Sequence, residues 1–270
     1  MSQHIHSLED YYGAKLFERS SKKVELTKAG EVLFRYASEI MKLHQVAKRA
    51  VSDLVEMVTG DLTIGASFTI GEYVLPRLLA AFSQKYSQVM FSEVIGNTEF
   101  IHERTREGTI DVGLVEGVID DNNLEITSFL KDELVLIVAK SHPLAKKTVL
   151  NKEELNATPF TFIMREEGSG TRLAMDEVLQ ELDLKPARIM TLGSTQAIKE
   201  AVEADLGISF LSKWTLRKEL QLGTLKPLRI KNFNFIRDFY VIRKKDKFES
   251  KATEEFLNFI TEPALSQILG

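Results

Sequence analysis

From Asp61 to the C-terminus, short apolar runs alternate with stretches of helical periodicity, and this alternation restricts the chain to layered α/β architectures. Strands are predicted at residues 62–66, 89–95, 110–115, 134–139, 161–164, 188–192, 207–211 and 239–243. Helices are predicted at 73–86, 99–107, about 170–182, 195–204 and 250–260, with Pro76 tolerated near a first turn. The order implies largely parallel sheets. The element count implies two similar lobes, about 61–139 with 241–270, and about 140–240. The Lys140-Ser141-His142-Pro143 segment and the C-terminal return supply two connections, which leave a hinged cleft between the lobes.

Ahead of this region lies a different pattern. Leu33, Ala37, Ile40, His44, Ala47, Val51, Leu54 and Val58 are spaced 4-3-4-3-4-3-4, a heptad seam with one polar interruption at His44. It predicts a helix over about 28–58, longer than about 40 Å. So narrow an apolar stripe suits a partner helix, which predicts a dimer; packing on its own domain is the other use open to it. Thr59-Gly60 ends the helix and makes a short hinge.

In residues 2–30, His4, Ile5, Leu8 and Tyr12 recur at helical spacing, and Gly13 closes that helix. Residues 14–17 begin another turn. Residues 18–26 alternate about a Ser20-Ser21-Lys22-Lys23 tip, as a hairpin wing does, and Thr27 offers an N-cap to the long helix. The segment reads as the end of a DNA-recognition helix followed by a two-stranded wing. A helix-turn-helix needs a scaffold helix and a turn ahead of its recognition helix, and here the chain opens inside that helix.

The totals bound the function. The 270 residues suffice for one to three domains, and 44% hydrophobic with 27% charged residues is ordinary for a soluble globular protein. There is no cysteine, which excludes disulfides, thiolate metal sites and a Cys nucleophile. No apolar run approaches the roughly 20 residues of a membrane span, and the polar N-terminus lacks a secretory h-region. A cytoplasmic protein with no membrane partner is expected. The net charge of −4 gives the whole chain no polyanion-binding character, and the basic signal is local, with Lys15, Arg19, Lys22, Lys23 and Lys28 close together. A solvated charged face accounts for that cluster equally well.

Ligands of open α/β sheets bind at strand C-termini near helix N-termini. Three such places carry hydroxyls, namely Ser67-Phe68-Thr69, Gly96-Asn97-Thr98 and Gly193-Ser194-Thr195. Each offers backbone N–H groups at a dipole end that favours an anion, and plain N-capping accounts for each without a ligand. The loop Arg165-Glu166-Glu167-Gly168-Ser169-Gly170-Thr171-Arg172 combines close-approach glycines, two hydroxyls and two guanidinium groups suited to an oxyanion. It is not a Walker loop. Arg172 also has Glu166 and Asp176 within reach as ion-pair partners. Glu116, ending a predicted strand, lines the cleft or is an exposed strand-end charge. Substituting Thr98 or Thr195 by Val is expected to weaken ligand binding with little loss of fold. No nucleophile, base and orienter combination appears, and His4, His6, His44, His102 and His142 lack metal-ligand spacing. No enzyme, metal or cofactor is expected.

The run Ser-Gln-x-Ile-x-x-Leu-Glu-x-x-x-Gly-x-x-Leu-Phe-x-Arg at residues 2–19, followed by Leu26-Thr27-x-Ala29-Gly30, resembles the LysR-type transcriptional regulators. The entry at residues 60–65, Ile110-Asp111-Val112-Gly113-Leu114 and Ala204-Asp205-x-Gly207-Ile208-x-Phe210-Leu211 agree in order, so the resemblance covers essentially the whole chain. It implies an α/β fold in which a two-lobed effector-binding domain like the periplasmic binding proteins, residues 61–270, follows a winged helix-turn-helix, here partial, at 1–30 and a dimerisation helix at 31–60. It implies duplex DNA, a small co-inducer and a homodimer or homotetramer as partners. Ser2, Gln3, His4 and His6 would face the bases, and Arg19, Lys22 and Lys23 the phosphates. The co-inducer would meet Ser67, Phe68, Thr69, Thr98, Glu116, Arg165, Ser169, Gly170, Thr171, Arg172, Ser194 and Thr195. The Gly-Ser-Gly-Thr-Arg loop is similar to that of members tied to sulfur assimilation or carbon fixation, which implies a small oxyanion or a phosphorylated or carboxylated metabolite. The chain departs from the family at its start, where helix 1, helix 2 and the turn are missing. Ile5, Leu8 and Leu16 would then lose burial, at about 1.5–3 kcal/mol for each large side chain fully exposed. An upstream start or a truncated chain is expected, with a dimerising ligand-binding module that has lost DNA binding as the alternative function.

Overall fold

The computed structural model describes residues 3–19, 24–52, 58–117, 120–157, 159–245, 247 and 249–261. It forms two compact units, Met1–Met57 and Val58–Gly270.

The first unit starts with helix α1 (Gln3–Tyr12), which is followed by Gly13 at φ +63°. Strands β1 (Phe17–Arg19) and β2 (Val24–Leu26) pair antiparallel in the register Phe17↔Leu26, as the alternation about the Ser-Ser-Lys-Lys tip requires. Residues 14–17 do not begin a helical turn as expected, because Phe17 already belongs to the hairpin. Glu9 fixes this arrangement. Its carboxylate accepts from the Leu16 backbone N–H at 2.9 Å and from Lys15 Nζ at 2.8 Å, and it is held down to about pKa 2, first by the Lys15 hydrogen bond. Leu16 is buried, against the expectation for it, whereas Ile5 is half-buried and Leu8 is 41% exposed. The Thr27 hydroxyl accepts from Gly30 N–H at 3.0 Å and caps α2 (Lys28–Ser52).

In the second unit the large mixed sheet runs β4 (Val89–Gly96), β3 (Gly60–Ser67), β5 (Val112–Glu116), β12 (Phe235–Lys244), β6 (Leu124–Ala139), β11 (Leu225–Ile230), β7 (Val149–Leu150), with β10 (Ser209–Ser212) also on β6. A separate parallel pair is formed by β8 (Thr161–Arg165) and β9 (Arg188–Leu192). The helices are α3 (Phe68–Tyr73), α4 (Leu75–Lys85), α5 (Thr98–Glu107), α6 (Lys152–Ala157), α7 (Gly170–Glu181), α8 (Thr195–Glu203), α9 (Arg217–Leu222) and α10 (Lys251–Thr261). The expectation of largely parallel sheets is corrected: β6 pairs antiparallel with β10, β11 and β12. The helix expected over 73–86 is α4, with Pro76 in its first turn, where a missing N–H costs no intrahelical bond; the short α3 ahead of it was not expected.

One core gathers Leu62, Ile64, Leu78, Phe82, Phe239 and Phe256, with Phe82 meeting Phe256 and Phe259 edge-on at 5.3 and 5.4 Å. Val58 packs here rather than in the heptad seam. A second core gathers Leu134, Ile137, Phe162, Met175, Ile198 and Phe210. The sixteen-residue β6 carries the chain from one to the other, and β12 carries it back, with Phe235 packed on the second core and Phe239 buried in the first. The change of core therefore comes ahead of the 140–143 segment expected to carry it.

Candidate functional site

The strand ends of β3, β5 and β8 and the first turns of α5, α7 and α8 bring the candidate cleft residues together in the second unit. Thr98, at the start of α5, is buried. Its hydroxyl donates to the Glu116 carbonyl at 3.0 Å and accepts from Gly170 N–H at 3.1 Å, so it ties β5 to the first turn of α7. The Glu99 N–H donates to the Gly168 carbonyl at 3.0 Å beside it. These approaches need glycine. A Cβ on Gly170 would stand 1.8 Å from the Glu116 carbonyl oxygen, and Gly168 sits at φ +80°.

Arg165, ending β8, is buried. Its Nε and Nη2 donate to both carboxylate oxygens of Glu166 at 2.7 Å, a forked pair, and its Nη1 lies 3.5 Å from Thr195 Oγ1. Its guanidinium lies over the Phe68 ring at 4.7 Å. Ser67 and Thr69 are buried beside Phe68, and Ser67 Oγ has no hydrogen-bond partner among the described residues. Ser169 caps α7, accepting from Arg172 N–H at 3.4 Å, and Ser194 caps α8, accepting from Ala197 N–H at 3.1 Å. Thr171 and Thr195 are buried. Arg172 takes one of its two expected alternatives, with Nε on Asp176 at 2.9 Å and Nη1 on the Arg165 carbonyl at 3.0 Å. Glu116 is buried, not an exposed strand-end charge, and its Oε1 has no hydrogen-bond partner among the described residues.

Sequence reasoning missed Arg237 and Asp132. Arg237, on β12, donates to the buried Asp132 carboxylate at 2.8 Å, stands 4.0 Å from Glu116, and reaches the Gly170 carbonyl and Thr171 Oγ1 at 3.3 Å. Burial pushes the Asp132 carboxyl above its ordinary range, against the opposing pull of Arg237 and Ser212. Only the antiparallel register of β6 and β12, which sets Arg237 against Asp132 across 105 positions, makes the pair. Asn97 also escaped notice as a cap: its side chain accepts from Phe100 N–H at 2.9 Å.

Of the candidate DNA-contacting residues, Ser2, Lys22 and Lys23 lie outside the described residues, and only the backbone is described at Gln3 and Arg19. His4 and His6 are exposed on α1, with His6 Nδ1 3.7 Å from Glu9. The seam residues Ala37, Ile40, His44 and Ala47 are exposed on α2, and Leu33 is half-buried. Among the described residues no helix is long and apolar enough to cross a membrane.

Residues 56–264 match the LysR substrate binding domain, and residues 1–31 match the bacterial regulatory helix-turn-helix protein of the lysR family. The chain is 36% identical over 269 residues to the HTH-type transcriptional regulator CysL of Bacillus subtilis (strain 168), covering all of this chain and 89% of that protein. It is 36% identical over 280 residues to a probable RuBisCO transcriptional regulator of Porphyra purpurea, covering all of this chain and 88% of the relative. Among solved structures, the CcmR regulatory domain of Synechocystis PCC6803 in complex with 2-PG superposes with a TM-score of 0.68 at 35% identity, over 75% of this chain and 96% of that one. The α/β fold is that of such effector-binding domains, and the family's members are regulators rather than enzymes. By both its segments, the chain belongs to the LysR family of DNA-binding transcriptional regulators.

Proposed function

We propose that this regulator senses a small anionic co-inducer in the cleft between two lobes, about 61–139 with 241–270 and about 140–240. One observation carries the reading. Buried hydroxyls at Ser67, Thr69, Thr98, Thr171 and Thr195 cluster with one buried guanidinium, Arg165, itself paired with Glu166, and the Ser67 hydroxyl has no partner among the described residues. A buried polar atom without a partner costs about 1–3 kcal/mol, which a bound oxyanion relieves. The N-termini of α7 and α8 add dipoles of the same sense. Arg172, held by Asp176, contributes through its charge and through the loop it ties to Arg165. The 2-PG in the CcmR complex supports a phosphorylated or carboxylated ligand.

The same reading assigns duplex DNA to the first unit, with Gln3, His4 and His6 toward bases and Arg19, Lys22 and Lys23 toward phosphates, and assigns the exposed α2 seam to a second copy in a homodimer or homotetramer. The protein works in the cytoplasm, where its DNA lies.

The test is thermal unfolding of the full chain against sulfate, sulfite, thiosulfate, phosphoglycolate, phosphoenolpyruvate and short carboxylates. A specific binder at about 100 times its dissociation constant adds roughly 2.7 kcal/mol. A shift from one compound that disappears in Thr195→Val supports the cleft reading; no shift from any, or a shift that Thr195→Val leaves intact, removes it.

A further inference from the structure

The oxyanion that Arg165 holds in this structure is the side chain of its neighbour. Arg165 Nε donates to Glu166 Oε2 and Nη2 to Glu166 Oε1, both at 2.7 Å. That pair of parallel N–H groups is the edge on which a guanidinium takes a carboxylate or phosphate in two bonds. The Phe68 ring lies against one face of the same guanidinium, and Nη1 points at Thr195 Oγ1 at 3.5 Å. An incoming anion therefore finds the forked edge filled. The two partners are held unequally. The Arg165 side chain is 2% exposed, whereas that of Glu166 is 30% exposed. Besides Arg165, the Glu166 carboxylate is approached by Asn97 Nδ2 at 3.5 Å, a long contact. The cation is fixed, and the carboxylate is the partner that can turn out to water.

A buried guanidinium without a counter-charge is strongly destabilising, so a cleft that binds an anion through Arg165 needs a substitute whenever the anion is absent. We propose that Glu166 is that substitute: it occupies the oxyanion position on Arg165 in the empty cleft and is displaced when the co-inducer binds. The inference rests on the cleft reading of the co-inducer site and adds a built-in competitor to it. The exchange replaces one carboxylate–guanidinium pair by another, so Arg165 stays paired in both states and Glu166 gains hydration when it leaves. The competitor reduces the fraction of chains whose forked edge is open, and the apparent dissociation constant rises by the inverse of that fraction. Glu166 thereby sets the concentration at which the regulator responds. Its departure also withdraws a contact from Asn97, the residue that caps α5, so occupancy at Arg165 is felt at the helix that carries Thr98.

A residue that competes with the ligand and a residue that orients Arg165 for it give opposite signs on removal. The full chain is titrated calorimetrically at pH 7 and fixed sodium chloride with sulfate and with phosphoglycolate, in its native form and as Glu166→Gln and Glu166→Ala. Gln keeps one acceptor for Arg165 and is the milder change; Ala empties the position. The expected result is that the anion binds at least about tenfold more tightly to Glu166→Ala than to the native chain, with Glu166→Gln between them. Adding Thr195→Val to Glu166→Ala removes the gain, which locates it in the cleft. Weaker binding by both variants overturns the proposal and makes Glu166 a positioning residue for Arg165. Unchanged binding by both variants, where the native chain binds in a manner that Thr195→Val abolishes, overturns it and leaves the cleft reading standing. A gain that survives Thr195→Val places the anion elsewhere and overturns it as well. Absence of binding by all three chains removes this proposal and the anionic reading of the cleft together.

Discussion

Arg237 and Asp132 face each other across β12 and β6, and the guanidinium Nε donates to the carboxylate at 2.8 Å where those strands pass between the two cores. Glu116 stands 4.0 Å away, so one partly buried cation serves two buried carboxylates. Removing the cation leaves both charges uncompensated. Arg237→Met is expected to cost about 3–5 kcal/mol, the range for breaking one side of a buried pair. Asp132→Asn is expected to cost less, because burial already pushes that carboxyl toward its neutral form. The double variant should be milder than Arg237→Met alone. Urea unfolding of the three chains checks this, and an Arg237→Met that costs no more than Asp132→Asn refutes the ionic account.

Thr98 and Thr195 look alike in sequence, each beginning a helix after a strand, and both Val substitutions are expected from sequence to spare the fold. The structure separates them. Thr98 Oγ1 has two bonds, to the Glu116 carbonyl and the Gly170 N–H, whereas Thr195 Oγ1 has a 3.5 Å approach from Arg165. Thr98→Val leaves a buried donor and a buried acceptor unmatched and is expected to cost about 1–3 kcal/mol. Thr195→Val is expected to cost clearly less. Comparing the two denaturation midpoints tests the difference, and equal losses would contradict it.

What could be read in advance follows from physical range. The 3.6 and 2.0 periodicities are local, so α5, α7, α8, β4 and β9 are legible to within a residue or two, as are the wing and the Thr27 cap. Segments whose apolar pattern is short or broken were missed, among them β7, α6, α9 and β11. The first ten residues of β6 were missed because Lys131-Asp132-Glu133 interrupts its apolar run, and Asp132 is tolerated there through Arg237 and Ser212. In the candidate cleft, hydroxyls and arginines at strand ends are visible as types. Which of them are already spent on one another, as Arg165 is on Glu166 and Arg172 on Asp176, is set by contacts made only in the fold.

Two glycines next to helix N-termini give opposite expectations. An added Cβ at Gly170 meets the Glu116 carbonyl oxygen at 1.8 Å, and backbone cannot yield cheaply there. Gly170→Ala should therefore destabilise the second unit by about 1–3 kcal/mol and displace Thr98 from its bond to residue 170. At Gly193 an added Cβ meets nothing within 4 Å. Gly193→Ala should be neutral, or stabilising by up to about 1 kcal/mol through the reduced entropy of the unfolded chain. Thermal unfolding of both variants decides, and a neutral Gly170→Ala would mean that α7 can retreat from β5.

Glu9 gives the first unit an acid-sensitive joint. Its carboxylate holds Lys15 and the Leu16 N–H and titrates at about 2, below its ordinary value of 4.5. A carboxylate lowered on folding binds its proton more weakly in the folded chain, so its stabilising contribution is full above the unfolded value and is lost as pH falls from about 4.5 toward about 2. Protection of the Leu16 amide against hydrogen exchange, measured relative to amides of β3, should decline across that window. Glu9→Gln can still accept from Leu16 but carries no charge for Lys15. It should show reduced Leu16 protection at neutral pH and no further decline between pH 4.5 and 2 beyond that of the β3 amides. A decline in Glu9→Gln as steep as in the native chain would place the acid sensitivity on another group.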